Sequence, residues 1–199
     1  FFFKQKTAYE MIWWLEFRRV LFRSKSFILK EFVRTIKDYP IKGIQFRDIT
    51  TLLQRADLFH DLIDEMTKPW ENKNIDAIVS IEARGFIMAG AIAYKLNTAF
   101  IPMRKPDKLP ADTFKVKFDL EYGSTEMHLH KDALDNHQNI LIIDDLLATG
   151  GTAVAAVKLI NMFENKNIVG AGFIINLPEL KGEDILNKMG IKTHSLMEF

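Results

Sequence analysis

The residues best suited to chemistry in this chain lie between 142 and 152, where a turn rich in glycine and threonine precedes a helical pattern. Gly150 and Gly151 have no Cβ to obstruct a ligand, so successive backbone N–H groups can approach an anion closely. Thr149 and Thr152 add hydroxyl donors to the same turn. A helix that begins here would present its unpaired N–H groups and positive dipole end to the same anion. The turn therefore predicts a site for a phosphate monoester.

Two adjacent carboxylates, Asp144 and Asp145, follow the apolar run 139–143 and precede that turn. They cannot bind the phosphate, because like charges repel, but they can accept hydrogen bonds from sugar hydroxyls. Ligands of open α/β sheets bind at the carboxyl ends of strands, where this pair is expected. The implied ligand is a ribose 5-phosphate, held by the carboxylates and by the turn from Ala148 onward. The turn has neither the Gly-Lys-Ser/Thr of a Walker A loop nor a Gly-x-Gly-x-x-Gly pattern.

The segment 142–152 resembles the phosphoribosyl-pyrophosphate signature of the type I phosphoribosyltransferases. Four further motifs, in the order of the adenine-specific branch of that family, extend the resemblance over most of 32–199. They are Phe-Arg-Asp-Ile-Thr at 46–50, Glu-Ala-Arg-Gly-Phe at 82–86, Arg-Lys-Pro-x-Lys-Leu-Pro at 104–110 and Leu-Glu-Tyr-Gly at 120–123. The resemblance implies an α/β fold, with a mostly parallel twisted sheet flanked by helices and a flexible lid.

The resemblance places a pyrophosphate leaving group at the turn 82–85, where Arg84 can offer bidentate donors to a phosphate. It assigns the remaining pyrophosphate contacts to Glu82, Ala83, Arg104, Lys105, Lys108 and Tyr122. The family commonly has aspartate where this chain has Glu82, which changes the reach of that carboxylate. The family also implies a non-proline cis peptide near Glu82–Ala83. The stretch 108–118 is the expected hood, whose closure would exclude water, although a basic cluster taken alone is as well explained by a solvated face.

The base and its proton are assigned by the same resemblance. It implies that Phe46 stacks on the purine and that the backbone around Arg47 hydrogen-bonds to the purine edge. The alternative makes Phe46 part of the core and Arg47 a surface ion-pair partner of Asp48. As catalytic residues, Glu121 would exchange a proton with the purine N7, while Arg84 neutralises the departing pyrophosphate. The alternative for Glu121 is an exposed carboxylate on the lid.

The implied reaction joins adenine and phosphoribosyl pyrophosphate to give AMP and pyrophosphate, which is the chemistry of purine salvage. Mg²⁺ is the implied cofactor, bound mainly through substrate oxygens and waters, so no protein ligand to a metal is assigned. The family further implies a homodimer. Two alternatives stay open: transfer to hypoxanthine, guanine or xanthine, and a non-catalytic regulator that senses phosphoribosyl pyrophosphate.

The composition excludes several other classes of function. The 199 residues are 48% hydrophobic and 27% charged, which suits one α/β domain with a full core. A formal net charge of +1 gives no overall field that would attract nucleic acid. The chain has no cysteine, so disulfides and thiolate sites are excluded and a reducing cytoplasm is the expected location.

Residues 1–24 differ in character from the rest, being aromatic and basic. We expect them to be a non-native extension, because 16–24 can be back-translated into a sequence that resembles a common short-read sequencing adapter. Charged residues interrupt every apolar run here, so neither a signal peptide nor a membrane anchor is expected. The phosphoribosyltransferase domain is accordingly expected to span 25–199.

Helical and strand patterns alternate after residue 25, which indicates a mostly parallel sheet covered by helices. The spacing of apolar residues predicts helices over 28–36, 58–70, 85–96 and 152–163. Strands are predicted over 75–81, 98–103, 126–130, 139–143 and 169–176. The long polar stretch 104–120 is expected to be an irregular lid.

Overall fold

A computed structural model describes residues 25–119 and 124–199 of the chain. The expectation for residues 1–24 therefore lies outside the described residues, as do Glu121 and Tyr122. The chain divides into two compact units, Phe1–Asp61 and Leu62–Phe199. Among the described residues, no helix is both long enough and apolar enough to cross a membrane.

The first unit holds a short antiparallel ribbon. Its elements are α1 (Lys25–Glu31), β1 (Arg34–Lys37), β2 (Gln45–Asp48) and α2 (Thr50–Leu53). Helix α3 (Ala56–Thr67) begins in this unit and ends in the second. The predicted helix over 28–36 is wrong beyond Glu31, because residues 34–37 pair with β2 instead. The Arg34 guanidinium donates to Asp48 Oδ2 from Nε at 3.0 Å, and these residues are also register partners. This cross-strand pair competes with the helical apolar spacing and fixes the extended backbone.

The second unit is built on a five-stranded parallel sheet with the order β4-β3-β7-β8-β9. Its elements in chain order are β3 (Ala77–Ile81), α4 (Gly85–Leu96), β4 (Ala99–Met103), β5 (Thr113–Asp119), β6 (Ser124–His130), β7 (Asn139–Leu147), α5 (Gly151–Ile160), β8 (Asn167–Asn176), α6 (Gly182–Lys188) and β9 (Thr193–Glu198). From the adjacent central strands, the chain proceeds outward in opposite directions, to β4 after β3 and to β8 after β7. Such a reversal opens a crevice at the carboxyl ends of the two strands.

The central strands are buried on both faces, as is typical of parallel sheets. Val79 and Ile142 belong to one apolar cluster, which includes residues of α5 and of the β5–β6 hairpin. Ile78 and Leu141 alternate to the other face, where α4 packs on β3 and β7. The continuous apolar runs of these strands therefore follow from their position between two covering layers.

The stretch 104–120 is not irregular throughout, so that expectation is wrong for residues 113–119. They form β5, which pairs antiparallel with β6. Phe114, Val116 and Phe118 alternate with lysines, and Val116 is buried in the core while Phe114 packs edge-on against Phe163 at 5.1 Å. This alternation is a strand pattern with one buried face.

The other predicted elements are confirmed, most of them with shifted ends. The helix over 85–96 has the predicted bounds, and the one over 152–163 is observed at Gly151–Ile160. The helix over 58–70 is α3 followed by a 3-10 turn, Lys68–Trp70. The strand predicted over 126–130 begins two residues earlier, at Ser124. Helix α6 and strand β9 had no sequence prediction, because their runs are short and mixed in polarity.

Candidate active site

A cleft with a volume of about 260 Å³ opens where the carboxyl ends of β3 and β7 lie side by side. Two loops form its walls, one after each strand. Its lining consists of Ile81, Glu82, Ala83, Arg84 and the residues 144–153. Every residue predicted to bind phosphoribose lies in this lining, together with three of those predicted to bind pyrophosphate. The structure thus brings the phosphoribose set together with Glu82, Ala83 and Arg84 at the switch in strand order. The other predicted pyrophosphate residues lie outside this lining, at Arg104, Lys105 and Lys108, or outside the described residues, at Tyr122.

The phosphate turn is shaped by its glycines. Gly150 has φ 83° and precedes α5, which begins at Gly151. Side chains other than glycine rarely adopt that backbone conformation, so residue type is dictated here by geometry. Among the described residues, no side chain caps the start of α5. The first N–H groups of the helix are therefore suited to an anion at the turn, beside Thr149 and Thr152.

Asp144 and Asp145 lie within β7 and not beyond its end, so the prediction that the strand stops at 143 is wrong. The strand continues because Leu146 and Leu147 still pair with β8. The backbone N–H of Asp145 donates to Asp144 Oδ1 at 2.9 Å. On the opposite wall, Arg84 Nε lies 2.7 Å from Asp145 Oδ2. This ion pair joins the loop after β3 to strand β7.

The two carboxyl groups differ in acidity. Burial raises the pKa of Asp144 well above its ordinary value, and the neighbouring charge of Asp145 raises it further. Burial also raises the pKa of Asp145, but the Arg84 guanidinium opposes that shift. Burial therefore raises the pKa of both groups, and Asp144, whose pKa is raised further, is the one that more readily holds a proton. Both forms of a carboxyl group can hydrogen-bond to a hydroxyl.

The loop after β3 contains the expected non-proline cis peptide, Glu82–Ala83, so that prediction is confirmed. The carboxylate of Glu82 accepts hydrogen bonds from Nε and Nη2 of Arg104, each at 3.3 Å, and from the backbone N–H of Lys105 at 3.0 Å. Hydrogen bonds from Arg104 lower the pKa of Glu82, against the effect of burial. Arg104 also donates from Nη1 to the carbonyl oxygen of Lys108 at 3.4 Å. Glu82 therefore attaches the basic segment 104–108 to the cleft wall.

Gly85 has a role that the sequence reasoning missed. A Cβ at this position would lie 2.7 Å from Asp144 Oδ1 and 2.8 Å from Ser80 Oγ. Only glycine lets the start of α4 approach the buried carboxyl group so closely. The signal in the sequence was a glycine directly after Arg84, at the beginning of a helical pattern.

The residues predicted to bind the base, Phe46 and Arg47, lie on β2 in the first unit. Phe46 is half-buried and meets the Tyr39 ring edge-on, with ring centroids 5.2 Å apart. Arg47 Nη1 donates to Thr35 Oγ1 at 2.5 Å. Asp48 pairs with Arg34. Phe46 is thus not part of a fully buried core.

Comparison with known proteins points to one family. The phosphoribosyl transferase domain family matches residues 48–193. The adenine phosphoribosyltransferase of Pelagibacter ubique (strain HTCC1062) is 50% identical over 171 residues, which cover 86% of this chain and 97% of that protein.

Two crystal structures are similar to the fold described above. Adenine phosphoribosyltransferase from Thermoanaerobacter pseudethanolicus ATCC 33223 has a TM-score of 0.82 and 39% identity, covering 87% of this chain and 99% of that chain. The enzyme from Saccharomyces cerevisiae, complexed with D-2,5-dideoxy-2,5-imino-altritol 1,6-bisphosphate and adenine, has a TM-score of 0.80 and 33% identity, covering 87% and 98%. The fold, the cleft and these relatives agree: the chain belongs to the phosphoribosyltransferase family, in its adenine phosphoribosyltransferase branch.

Proposed function

We propose that this protein transfers the 5-phosphoribosyl group from phosphoribosyl pyrophosphate to adenine, giving AMP and pyrophosphate. The observation that carries the proposal is the cleft between β3 and β7, where a phosphate turn and the loop that contains Arg84 line one cavity. A substrate with a phosphate at one end and a pyrophosphate at the other needs two anion sites with a sugar site between them. Asp144 and Asp145 lie in the same lining, as sugar-binding groups should.

The phosphoribose end binds at the turn after β7. The 5-phosphate accepts hydrogen bonds from the N–H groups and hydroxyls of 149–152, while Ala148 forms the near edge of the turn. Asp144 and Asp145 accept the ribose hydroxyls. Asp145 belongs to the sugar site and Arg84 to the pyrophosphate site, so their ion pair links the two sites.

The pyrophosphate end binds at the loop after β3. Arg84 and the backbone of Ala83 face the same cavity, and Glu82 holds Arg104 and Lys105 beside it. Negative charge accumulates on the pyrophosphate as the bond to the anomeric carbon breaks. Fixed positive groups stabilise that charge without reorganising, which lowers the barrier. Lys108, whose carbonyl is bound by Arg104, adds a further cation to this group.

The base and its proton are assigned to three further residues. Phe46 stacks on adenine and the backbone at Arg47 reads its edge, which the half-buried position of Phe46 supports. Glu121 exchanges a proton with the purine N7 as N9 attacks, whereas Tyr122 is assigned to the pyrophosphate contacts. The reaction requires no protein nucleophile, since displacement occurs directly at the anomeric carbon.

Mg²⁺ fits the chemistry of this cleft. It prefers oxygen ligands and retains several waters, and substrate phosphates commonly supply part of its coordination. Asp144 and Asp145 supply carboxyl oxygens in the lining that could serve as metal ligands. They would help to hold a metal whose main ligands are substrate oxygens. When bound, the metal would neutralise part of the charge on the pyrophosphate.

We also propose a cytoplasmic homodimer. An exposed apolar face supports the dimer: Ile87 and Tyr94 on α4 are 46% and 91% exposed, and Phe100 on β4 is 36% exposed. Ile87 and Tyr94 are seven residues apart and therefore share one face of α4, and exposed apolar side chains on a common face are typical of protein–protein contacts. Sedimentation of the wild type and of Tyr94→Ser should show a dimer that the substitution weakens. A monomeric wild type would contradict this part of the proposal.

The reaction is tested by incubating the protein with adenine, phosphoribosyl pyrophosphate and Mg²⁺ and separating the products. We expect AMP and pyrophosphate to form in equal amounts. Release of pyrophosphate without AMP would instead indicate hydrolysis of the activated sugar. Binding of phosphoribosyl pyrophosphate without any product would favour a sensing role.

A further inference from the structure

Gly182, at the start of α6, lies directly against the phosphate turn. Its N–H donates to the carbonyl oxygen of Ala148 at 3.1 Å. A Cβ at this position would lie 2.2 Å from the Ala148 oxygen and 2.8 Å from the backbone nitrogen of Gly150. In the opposite direction, a Cβ on Gly150 would lie 3.1 Å from the Cα of Gly182. The two glycines therefore allow a backbone-to-backbone contact at the turn.

The contact between Gly182 and the turn has no room for a side chain on Gly182. The atoms that a Cβ would meet belong to the backbone, so no rotamer change relieves the overlap. Real Cβ atoms essentially never approach a neighbour as closely as 2.2 Å, and therefore either the turn or the start of α6 must move. Which of them moves depends on how firmly each is attached.

The start of α6 is attached to two neighbouring strands of the sheet, β8 and β9. Glu183 accepts from Asn176 Nδ2 at 2.9 Å and from Thr193 Oγ1 at 2.6 Å, which ties the helix to β8 and β9. Asn176 is itself buried. A side chain at Gly182 should therefore displace the turn more than the helix.

We infer that Gly182 is a positioning residue, which sets the backbone of Ala148 and Gly150 so that their turn fits the 5-phosphate of the substrate. The inference rests on the proposed function, because it assigns the turn to that phosphate. It assigns α6 a role in substrate binding, although Gly182 lies outside both the motif at 142–152 and the lining of the cleft. The expected consequence of disturbing it is a loss of affinity confined to phosphorylated ligands.

Gly182→Ala tests the inference through ligand affinity. Hydrogen bonds to a charged phosphate are among the stronger ones, so a misplaced turn should weaken AMP binding about tenfold or more. The KM for phosphoribosyl pyrophosphate should rise by a similar factor, while the KM for adenine stays within about twofold. AMP affinity is measured by titration calorimetry, and circular dichroism checks that the variant is folded. Wild-type affinity for AMP in this variant would overturn the inference.

Two controls separate positioning from general destabilisation. Gly90→Ala adds a Cβ in α4 that meets nothing within 4 Å, and should leave AMP affinity unchanged. Leu186→Ala removes a fully buried side chain of α6, so it should lower the melting temperature without placing an atom at the turn. Loss of AMP affinity in Leu186→Ala as large as in Gly182→Ala would refute a specific role for Gly182.

A gentler variant keeps the test valid if Gly182→Ala does not fold. Thr193→Val removes one hydrogen bond to Glu183 with little change in volume. It should weaken AMP binding about twofold and leave the KM for adenine unchanged; an unchanged AMP affinity would count against the inference. Failure of the wild type to make AMP would refute the proposed function, whereas equal AMP affinity in active wild type and Gly182→Ala would refute only the role of Gly182.

Discussion

Replacing Glu82 with glutamine should weaken the pyrophosphate side of the site. The carboxylate of Glu82 accepts two bonds from Arg104 and one from the N–H of Lys105. Glutamine is nearly isosteric, but it has one acceptor oxygen and turns an amide NH₂ toward a donor. Arg104 then loses its bidentate partner and no longer holds one position at the cleft. The segment that it attaches should become less well placed for the leaving group.

The expected loss of pyrophosphate affinity depends on how exposed the Glu82–Arg104 pair is to solvent. A hydrogen bond to a charged group contributes about 1.5–3 kcal/mol. The side chain of Glu82 is 15% exposed and that of Arg104 is 34% exposed, so solvent screening reduces the value toward the lower end of that range or below it. A loss of about 1.4 kcal/mol corresponds to a tenfold change in affinity. We therefore expect pyrophosphate affinity to fall about tenfold.

The assay is the reverse reaction, with AMP and pyrophosphate as substrates. In Glu82→Gln, the KM for pyrophosphate should rise about tenfold and the KM for AMP should stay within about twofold. Glu82→Asp keeps the charge with a shorter reach and should fall between Glu82→Gln and the wild type. Glu164→Gln, at an exposed glutamate outside the cleft lining, is the matched control. Pyrophosphate affinity that stays at the wild-type level in Glu82→Gln would refute the reasoning.

Three other substitutions test separate parts of the account. Glu121→Gln should cut turnover by about a hundredfold or more, as removal of a general base does, with little change in the KM for phosphoribosyl pyrophosphate. Asp145→Asn should raise that KM about tenfold, because the ribose loses an acceptor and Arg84 loses its 2.7 Å partner. Burial raises the pKa of Asp48, but hydrogen bonds from Arg34 and Thr50 outweigh it and lower the pKa to about 2. The ionised form therefore stabilises the fold above pH of about 4, and this stability is lost as the pH falls toward about 2. Urea unfolding of Asp48→Asn should show a loss of about 1–2 kcal/mol at neutral pH and a smaller dependence on pH in that acidic range.

Each of these predictions has a result that contradicts it. Normal turnover in Glu121→Gln would remove this residue from the mechanism. Asp145→Asn should be compared with Asp135→Asn, at an exposed aspartate, and equal KM values in the two would exclude the ribose role. For Asp48, the same pH dependence in wild type and variant would show that its ionisation does not contribute to stability.

The phosphate turn could be identified from the sequence because its parts are local. Adjacent carboxylates, a turn with glycines and the start of a helix occur within 142–152, and the structure keeps them together. The loop containing Arg84 joins them because β3 and β7 are neighbours. That adjacency follows from the family resemblance, whereas the periodicity of the sequence does not specify strand order.

The contacts that were missed depend on backbone packing between distant segments. Gly182 meets Ala148 and Gly85 meets Asp144 only because the strands bring them together. A glycine in a sequence does not reveal which atom would overlap with its missing Cβ. Strand β1 was also missed because of a contact between separate segments: its residues fit a helical spacing, but Arg34 pairs with Asp48 on the next strand.

The element boundaries failed where pairing extended a pattern. Strand β7 was expected to end before its carboxylates, because the continuous apolar run stops at Ile143. Pairing with β8 continues through Leu147, and Arg84 provides the countercharge for Asp145. In β5, lysines between apolar residues were taken for an irregular lid, although their alternation matches one solvated and one buried face.

The central claim is transfer of the phosphoribosyl group to adenine, and the most direct test compares purines. The wild-type protein should be supplied with phosphoribosyl pyrophosphate, Mg²⁺ and one of adenine, hypoxanthine, guanine or xanthine, and kcat/KM should be measured for each. We expect AMP formation from adenine with a kcat/KM at least about a hundredfold above that for any other purine, since a site built to hydrogen-bond one base edge discriminates strongly against others. A higher kcat/KM for another purine, or no turnover with all four, would contradict the account.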